Sequence, residues 1–347
     1  MNLRWVVVMS LLCAASLNGP AAACSIPVFR YALERWTASP YEVLIFRSGP
    51  LTEEQDALRH KLETAIANVT VIDANVSDAR YSPVFEKIGK KPPLPFLALR
   101  YPGAGVKAPV IWTSPLTEPS VEALLHSPAR QTITERLGRG ETAVLVLIES
   151  GDKDADEKVA KMLETERPRL ERNAPLPEPT DIGPQPLTSL PMKVSFSMLR
   201  LARDDPRERA FLAAALKHEP GVDQVKTPIV VAVFGRGRLL AALHSENLTA
   251  DELPAVARYL CGACTCQVKE ATPGVDLLFA VDWDAMVRAA AVTAVESDSA
   301  QSDVADPPAR FVAKRPKWLW PAIAVVLAIN VLAAAWALRS IRRPAST

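Results

Sequence analysis

Residues Trp318–Leu338 (WLWPAIAVVLAINVLAAAWAL) run for 21 positions without a charge, and a stretch of that kind belongs in an apolar medium. Its length suits the ~30 Å hydrocarbon core of a bilayer. Trp318, Trp320 and Trp336 stand near its ends, where amphipathic rings favour the membrane interface, and Asn330 is the strongly polar residue inside. One transmembrane helix over 318–338 is therefore expected. Lys314, Arg315 and Lys317 precede it and Arg339, Arg342 and Arg343 follow it, so flanking charge does not orient it. The N-terminus does. Arg4 leads an apolar run Trp5–Leu17, Gly19-Pro20 breaks that run, and Ala21-Ala22-Ala23 matches a small-residue cleavage pattern. This order reads as a signal peptide over 1–23, cut before Cys24. The following chain is expected in the periplasm or outside the cell, held in the inner (plasma) membrane by a single span, with 339–347 cytoplasmic. A cysteine directly behind the cut also raises lipidation, although Ala21 stands where a lipoprotein box has Leu. Residues 296–317 are polar and proline-containing and read as a stalk.

The formal net charge of +1 leaves no electrostatic footprint for nucleic acid. About 270 residues lie between signal and stalk, room for two domains of ordinary size. One pattern occurs there twice. Tyr41–Phe46 (YEVLIF) ends at Ser48-Gly49-Pro50, and Thr142–Ile148 (TAVLVLI) ends at Ser150-Gly151. Short uninterrupted apolar runs fit strands buried on both faces. A helical pattern follows each: 52–67 with Leu58, Leu62 and Ile66 on one face, and about 154–170 with Val159, Met162 and Leu163 inward. Strands Val69–Ile72 and Val194–Leu199 come next, which implies parallel βαβ units. Leu94-Pro95 then opens a hairpin of Phe96–Tyr101 and Pro109–Trp112, and Thr227-Pro228 opens one of Ile229–Phe234 and Leu239–Leu243. Leu-Thr and a helix follow both, at Val121–Leu125 and Val256–Leu260. Thr249 with Glu252 fits a capping box.

Strand, helix, strand, helix, a proline-led hairpin and a closing helix resemble the thioredoxin fold, most closely over 227–260 (TPIVVAVFGRGRLLAALHSENLTADELPAVARYL). The resemblance implies an α/β architecture of two tandem thioredoxin-like domains, 24–138 and 139–295, ahead of the stalk and the transmembrane helix. It sets Pro95 and Pro228 at the family's cis-proline position. Redox-active members carry C-x-x-C after the first long strand. The matching positions here are Ser48-Gly49-Pro50-Leu51 and Ser150-Gly151-Asp152-Lys153, so the dithiol chemistry does not carry over. The opening Cys24–Trp36 and the late CGACTC also resemble an uncharacterised group of bacterial exported, membrane-anchored proteins, a likeness that brings no activity with it.

Four cysteines remain after the cut: Cys24, Cys261, Cys264 and Cys266. In an oxidising compartment an even number suggests structural disulfides. Cys264–Cys266 is disfavoured by its two-residue separation, which leaves Cys24 with Cys264 or Cys266. Such a link closes a loop of more than 200 residues and on the loop-entropy model stabilises by up to ~5 kcal/mol. A thiol–disulfide oxidoreductase using Cys261-Gly-Ala-Cys264 is a second reading. The cysteines sit at a helix C-terminus, however, capped by Gly262, where the dipole disfavours a thiolate. Cys24 precedes a probable helix over 26–36, which favours its thiolate instead. A zinc or copper(I) site on Cys24, Cys261, Cys264 and Cys266 is the third reading; the preferred one needs no cofactor. His60, His126, His218 and His244 show no metal-ligand spacing, and Asp282 and Asp284 beside Trp283 read as the solvated end of a strand over 275–281. The sequence thus points to a non-catalytic binding or scaffold protein with envelope protein partners, ahead of the redox and metal readings. Intact mass of the protein purified from a bacterial host should give a mature chain beginning at Cys24; a retained Met1 with a protease-protected ectodomain would overturn this topology.

Overall fold

The computed structural model describes residues 25–103, 109–179, 184–245, 248, 252–264, 269 and 272–291. Helix α1 (Val28–Arg35) leads into strand β1 (Tyr41–Arg47). Alternate side chains of a strand leave by opposite faces. Tyr41, Val43 and Ile45 enter one apolar cluster while Leu44 and Phe46 enter another, and all five are fully buried. That is why the run carries no polar alternation. Helix α2 (Glu53–Thr64) makes the crossover to strand β2 (Val69–Asn75), which lies parallel to β1. The helix opens on a capping box: Thr52 Oγ1 accepts from Gln55 N at 3.3 Å, and Gln55 Oε1 accepts from Thr52 N at 3.1 Å. A short helix α3 (Ser82–Lys87) precedes strands β3 (Phe96–Arg100) and β4 (Trp112–Pro115), both antiparallel to their neighbours, in the order β2-β1-β3-β4. Helix α4 (Glu118–Leu125) closes this half.

The second half repeats the scheme. After α5 (Pro128–Gly138), strand β5 (Ala143–Glu149) and helix α6 (Lys153–Asn173) lead to β6 (Phe196–Ala202), parallel to β5. Helix α7 (Arg209–Leu216) precedes β7 (Ile229–Phe234) and β8 (Arg238–His244), and α8 (Glu252–Cys261) follows. A two-residue strand β9 (Val275–Asp276) pairs with β8, so the order is β6-β5-β7-β8-β9. A last helix, α9, runs over 283–291. Both halves fall in one compact unit, 1–297. One cluster runs from the inner face of the first sheet (Val43, Leu97, Leu99) to that of the second (Val146, Ile148, Val231), filled between by α4, α5 and α7.

Several elements differ from the expectation, each for a local reason. Strand β4 begins at Trp112 rather than Pro109: Ile111 N donates out of register to Leu99 O at 2.9 Å, and the Ile111 carbonyl is taken by Lys217 Nζ at 2.7 Å. The expected strand 275–281 is paired only at Val275–Asp276. Beyond it Leu277 N donates to Gly237 O at 2.9 Å, and Asn68 of the first half takes Leu277 O and Phe279 N at 3.1 and 2.8 Å. Helix α6 continues to Asn173 with Pro168 inside it. The signal 1–23 and the span 318–338 lie outside the described residues; among the described residues no helix is long and apolar enough to cross a membrane.

Two arginines tie the layers together. Arg130 of α5, 3 % exposed, donates to Leu124 O (2.7 Å) and Ala123 O (2.7 Å) of α4, to Ser127 Oγ (3.0 Å) and to Leu278 O (3.1 Å). Burial pulls its pKa down to about 10, against the attraction of Glu208. Arg30 of α1 is fully buried and donates to Leu190 O (2.6 Å) and Pro191 O (2.8 Å), while Glu34 accepts from Leu187 N and Thr188 Oγ1 at 2.8 Å each. Arg130→Ala leaves three carbonyls without their donor and removes the charge that attracts the buried Glu208, whose carboxylate keeps its bond from Ala129 N, so it should lower unfolding free energy by about 3–5 kcal/mol in a urea titration. A loss below ~1 kcal/mol would mean that surface-like screening operates there.

Candidate functional site

The cysteine segment is placed by an isolated bridge between the early and the late parts of the described chain. Pro27 pairs with Ala263: Val28 N donates to Gly262 O at 3.0 Å and Cys264 N to Ile26 O at 2.9 Å. The expected left-handed glycine cap on α8 is not formed. Gly262 N instead continues the helix onto Arg258 O at 2.9 Å, and the bridge then draws Ala263 out in extended form. Cys261 is 0 % and Cys264 1 % exposed, the latter packed among Ile26, Phe29 and Leu260. Burial pushes the Cys261 thiol up to about 12, so it is protonated at neutral pH and unsuited to attack a disulfide. Cys24 and Cys266 lie outside the described residues. Among the described residues no group of His, Cys, Asp or Glu is arranged to hold a metal ion.

The two strand-to-helix turns are the second candidate. The register Phe46↔Phe96, carried on by one and two residues, aligns Pro95 with Arg47 and Leu94 with Ser48. The register Ile148↔Ile229 likewise aligns Pro228 with Glu149 and Thr227 with Ser150. Each half therefore brings its proline and its turn to one sheet edge. The Leu94–Pro95 bond is cis. Thr227–Pro228 is not: it is trans, with Arg203 Nη2 holding the Thr227 carbonyl at 3.1 Å and a second Arg203 bond on Val225 O. Pro228 therefore does not supply the cis geometry expected of it.

At both edges the polar groups are already spent on one another. Arg47 grips Asp73 with two bonds (2.6 and 2.7 Å) beside an open cleft of about 540 Å³, where Arg59 is likewise paired with Asp56. In the second half Arg200 donates to Glu149 at 2.7 Å and to Glu157 at 2.9 Å. Arg47 and Glu149 end the first strands of their halves, and Asp73 and Arg200 sit at matching places on the second strands. The repeat keeps an ion pair at one position and reverses its polarity. Asp156, 4 % exposed, closes the second turn by accepting from Ser150 N (2.7 Å), Ser150 Oγ (2.8 Å) and Gly151 N (3.0 Å). The Ser150 hydroxyl is thus tied to a structural carboxylate.

The remaining singled-out residues do not converge. His60 lies on α2, His126 after α4, His218 after α7 and His244 on β8. Asp282 is no strand end: its Oδ1 accepts from Ala285 N at 2.8 Å and starts α9, while Asp284 pairs with Arg236 at 2.7 Å. Sequence reasoning missed the reversed ion pair, because Arg47 and Asp73 are 26 positions apart and ordinary in composition; the aligned repeats held the signal.

A raised thiol pKa has a definite sign in stability. The folded chain keeps the Cys261 proton at pH values where the unfolded chain has released it, so stability present below the ordinary thiol range is lost as pH rises toward about 12. Urea midpoints should fall through that alkaline window in the wild type and fall less in Cys261→Ala; equal slopes would place the titration elsewhere. Comparison of the chain with protein-family models, with curated proteins and with solved structures gave no match.

Proposed function

We propose that this chain is a membrane-anchored, extracytoplasmic binding or scaffold protein built from two tandem thioredoxin-like halves without the dithiol chemistry of that family. The order β2-β1-β3-β4 supports the fold assignment, with a parallel first pair, antiparallel outer strands and a proline before β3; β6-β5-β7-β8 repeats it. The observation that carries the functional reading is the state of the two turns. Where a redox member of the fold presents a thiolate, this chain has Ser48-Gly49-Pro50-Leu51 and Ser150-Gly151-Asp152-Lys153, each beside an arginine–carboxylate pair, with Ser150 bonded to a buried aspartate. No residue there is poised to attack or to move a proton. A fold so disarmed still offers sheet edges and loops to a partner, an analogy from architecture alone.

The cysteines fit a staple in this reading. Cys264 is bonded through its backbone to Ile26, two positions after Cys24. This supports a disulfide from Cys24 to Cys264 or Cys266 that would fix the start of the ectodomain to its end. The tether supplied by 318–338 would hold the assembly at the membrane, with protein partners of the cell envelope as its ligands. The alternative, thiol–disulfide exchange or Zn or Cu handling on the same four cysteines, predicts exposed and reactive sulfur. Thiol titration of the native mature protein should therefore find little reactive sulfur, and insulin should not be reduced above background. Catalytic turnover of a disulfide substrate, or stoichiometric metal lost on chelation, would overturn the scaffold reading.

A further inference from the structure

The two halves differ at one edge, and the difference assigns an occupant. In the second sheet the fourth strand, β8, is covered by β9, an extended piece of the same chain. Asp276 of β9 stands opposite Arg238, which donates to it at 2.8 Å; Lys269 lies 2.9 Å from its other oxygen. Burial opposes ionisation of Asp276, but bonds from Lys269, Ser39 N and Arg238 outweigh it and hold the carboxyl below its usual range. An acidic extended segment on a basic strand edge is thus the solution the second half uses. In the first sheet the fourth strand is β4, and among the described residues no strand lies beyond it. Leu116 N donates to Pro95 O at 3.1 Å, so the even-numbered residues of β4 face β3. Thr113 then turns its N–H and C=O to the free side.

Beside that edge lies a cleft of about 470 Å³. Its floor is apolar, with Val84, Ile88 and half-buried Trp112, and its rim carries Lys87, Lys90 and Lys217 with no acidic residue in the lining. The lysines that form ion pairs among the described residues are Lys61, Lys161 and Lys269; these three do not. Uncompensated positive charge over an apolar floor complements a ligand that is acidic and partly apolar. An edge strand adds the requirement that the ligand be extended, because backbone pairing is what an edge offers.

We propose that the free edge of β4 receives an extended acidic peptide segment of a partner protein, with its carboxylates on Lys87, Lys90 and Lys217 and an apolar side chain in the cleft. This rests on the reading of the chain as a binding module and names the chemistry of its partner. The test is fluorescence anisotropy of the full-length protein with a fluorescein-labelled peptide Asp-Ile-Glu-Phe-Asp-Glu, against a control in which every acid is lysine. Saturable binding of the acidic peptide alone, weakened by salt, is expected. Lys87→Glu with Lys90→Glu, two exposed side chains, should weaken it by about tenfold or more. Thr113→Pro removes a donor from the free side without touching the β3 ladder and should weaken it as well. No binding, equal binding of the lysine control, or affinity unchanged in both variants would overturn the proposal. Failure here with inert thiols leaves the scaffold reading standing, whereas disulfide turnover with peptide binding intact overturns that reading alone.

Discussion

The burial of α1 against the second sheet is the contact on which the rest of this structure depends. Ile26, Phe29, Ala32 and Trp36 cover a face of β5 and β7 laid down more than a hundred positions later, and Trp36 meets Phe234 edge-on at 5.9 Å. The approach is close enough to need a glycine. At Gly235 (φ +57°) a Cβ would stand 2.6 Å from that of Ala32. At roughly 1.5–3 kcal/mol for each large side chain removed from water, these contacts together outweigh any single polar link among the described residues. They also decide topology. The first sheet is built between the helix and the sheet that the helix covers, so the halves share a core and do not fold as beads on a string. Non-local contacts of this kind are slow to form, because the intervening loop must be ordered first.

Charge follows from that packing. A helix buried on both sides can carry Arg30 and Glu34 because segment 187–191 supplies most of their hydrogen-bond partners with its backbone. Arg130 plays the same part between α4, α5 and the strand leading to α9. Both arginines work as multidentate donors to carbonyls rather than as members of simple ion pairs, which suits a planar guanidinium out of water. The polar groups beside the two strand-to-helix turns are consumed in the same way, by Arg47–Asp73 and Arg200–Glu149. Among the described residues, the edge of β4 carries no further strand, and Lys87, Lys90 and Lys217 beside it carry no ion pair.

Much of the architecture was legible beforehand, and the reasons are local. Runs such as Tyr41–Phe46 and Ile229–Phe234 announce strands buried on both faces; Thr52 and Gln55 announce a helix start; the proline-led hairpins announce antiparallel outer strands. The legible part ended where a distant residue settled the matter. Nothing near Asp276 says that the strand stops there; beyond it Asn68 of the first half bonds the backbone of Leu277 and Phe279. Thr227-Pro228 looks like Leu94-Pro95 in sequence, and Arg203 distinguishes them. Asp282 and Asp284 read as the solvated end of a strand until one is seen to cap a helix and the other to meet Arg236.

By itself the sequence determined the periodicities: which segments are strands and helices, that they recur twice, that neither turn carries a cysteine, and that an apolar run lies near each end. These are properties of short windows, where side-chain spacing and backbone preference suffice. Only the tertiary structure decided that α1 belongs with the second sheet, that Cys261 is buried deeply enough to stay protonated at neutral pH, that the arginines are spent on carbonyls and carboxylates, and that one sheet edge is covered by Asp276 while its counterpart carries no further strand among the described residues. Each of those depends on desolvation and on partners far away in the chain, and neither quantity exists until the chain has closed on itself.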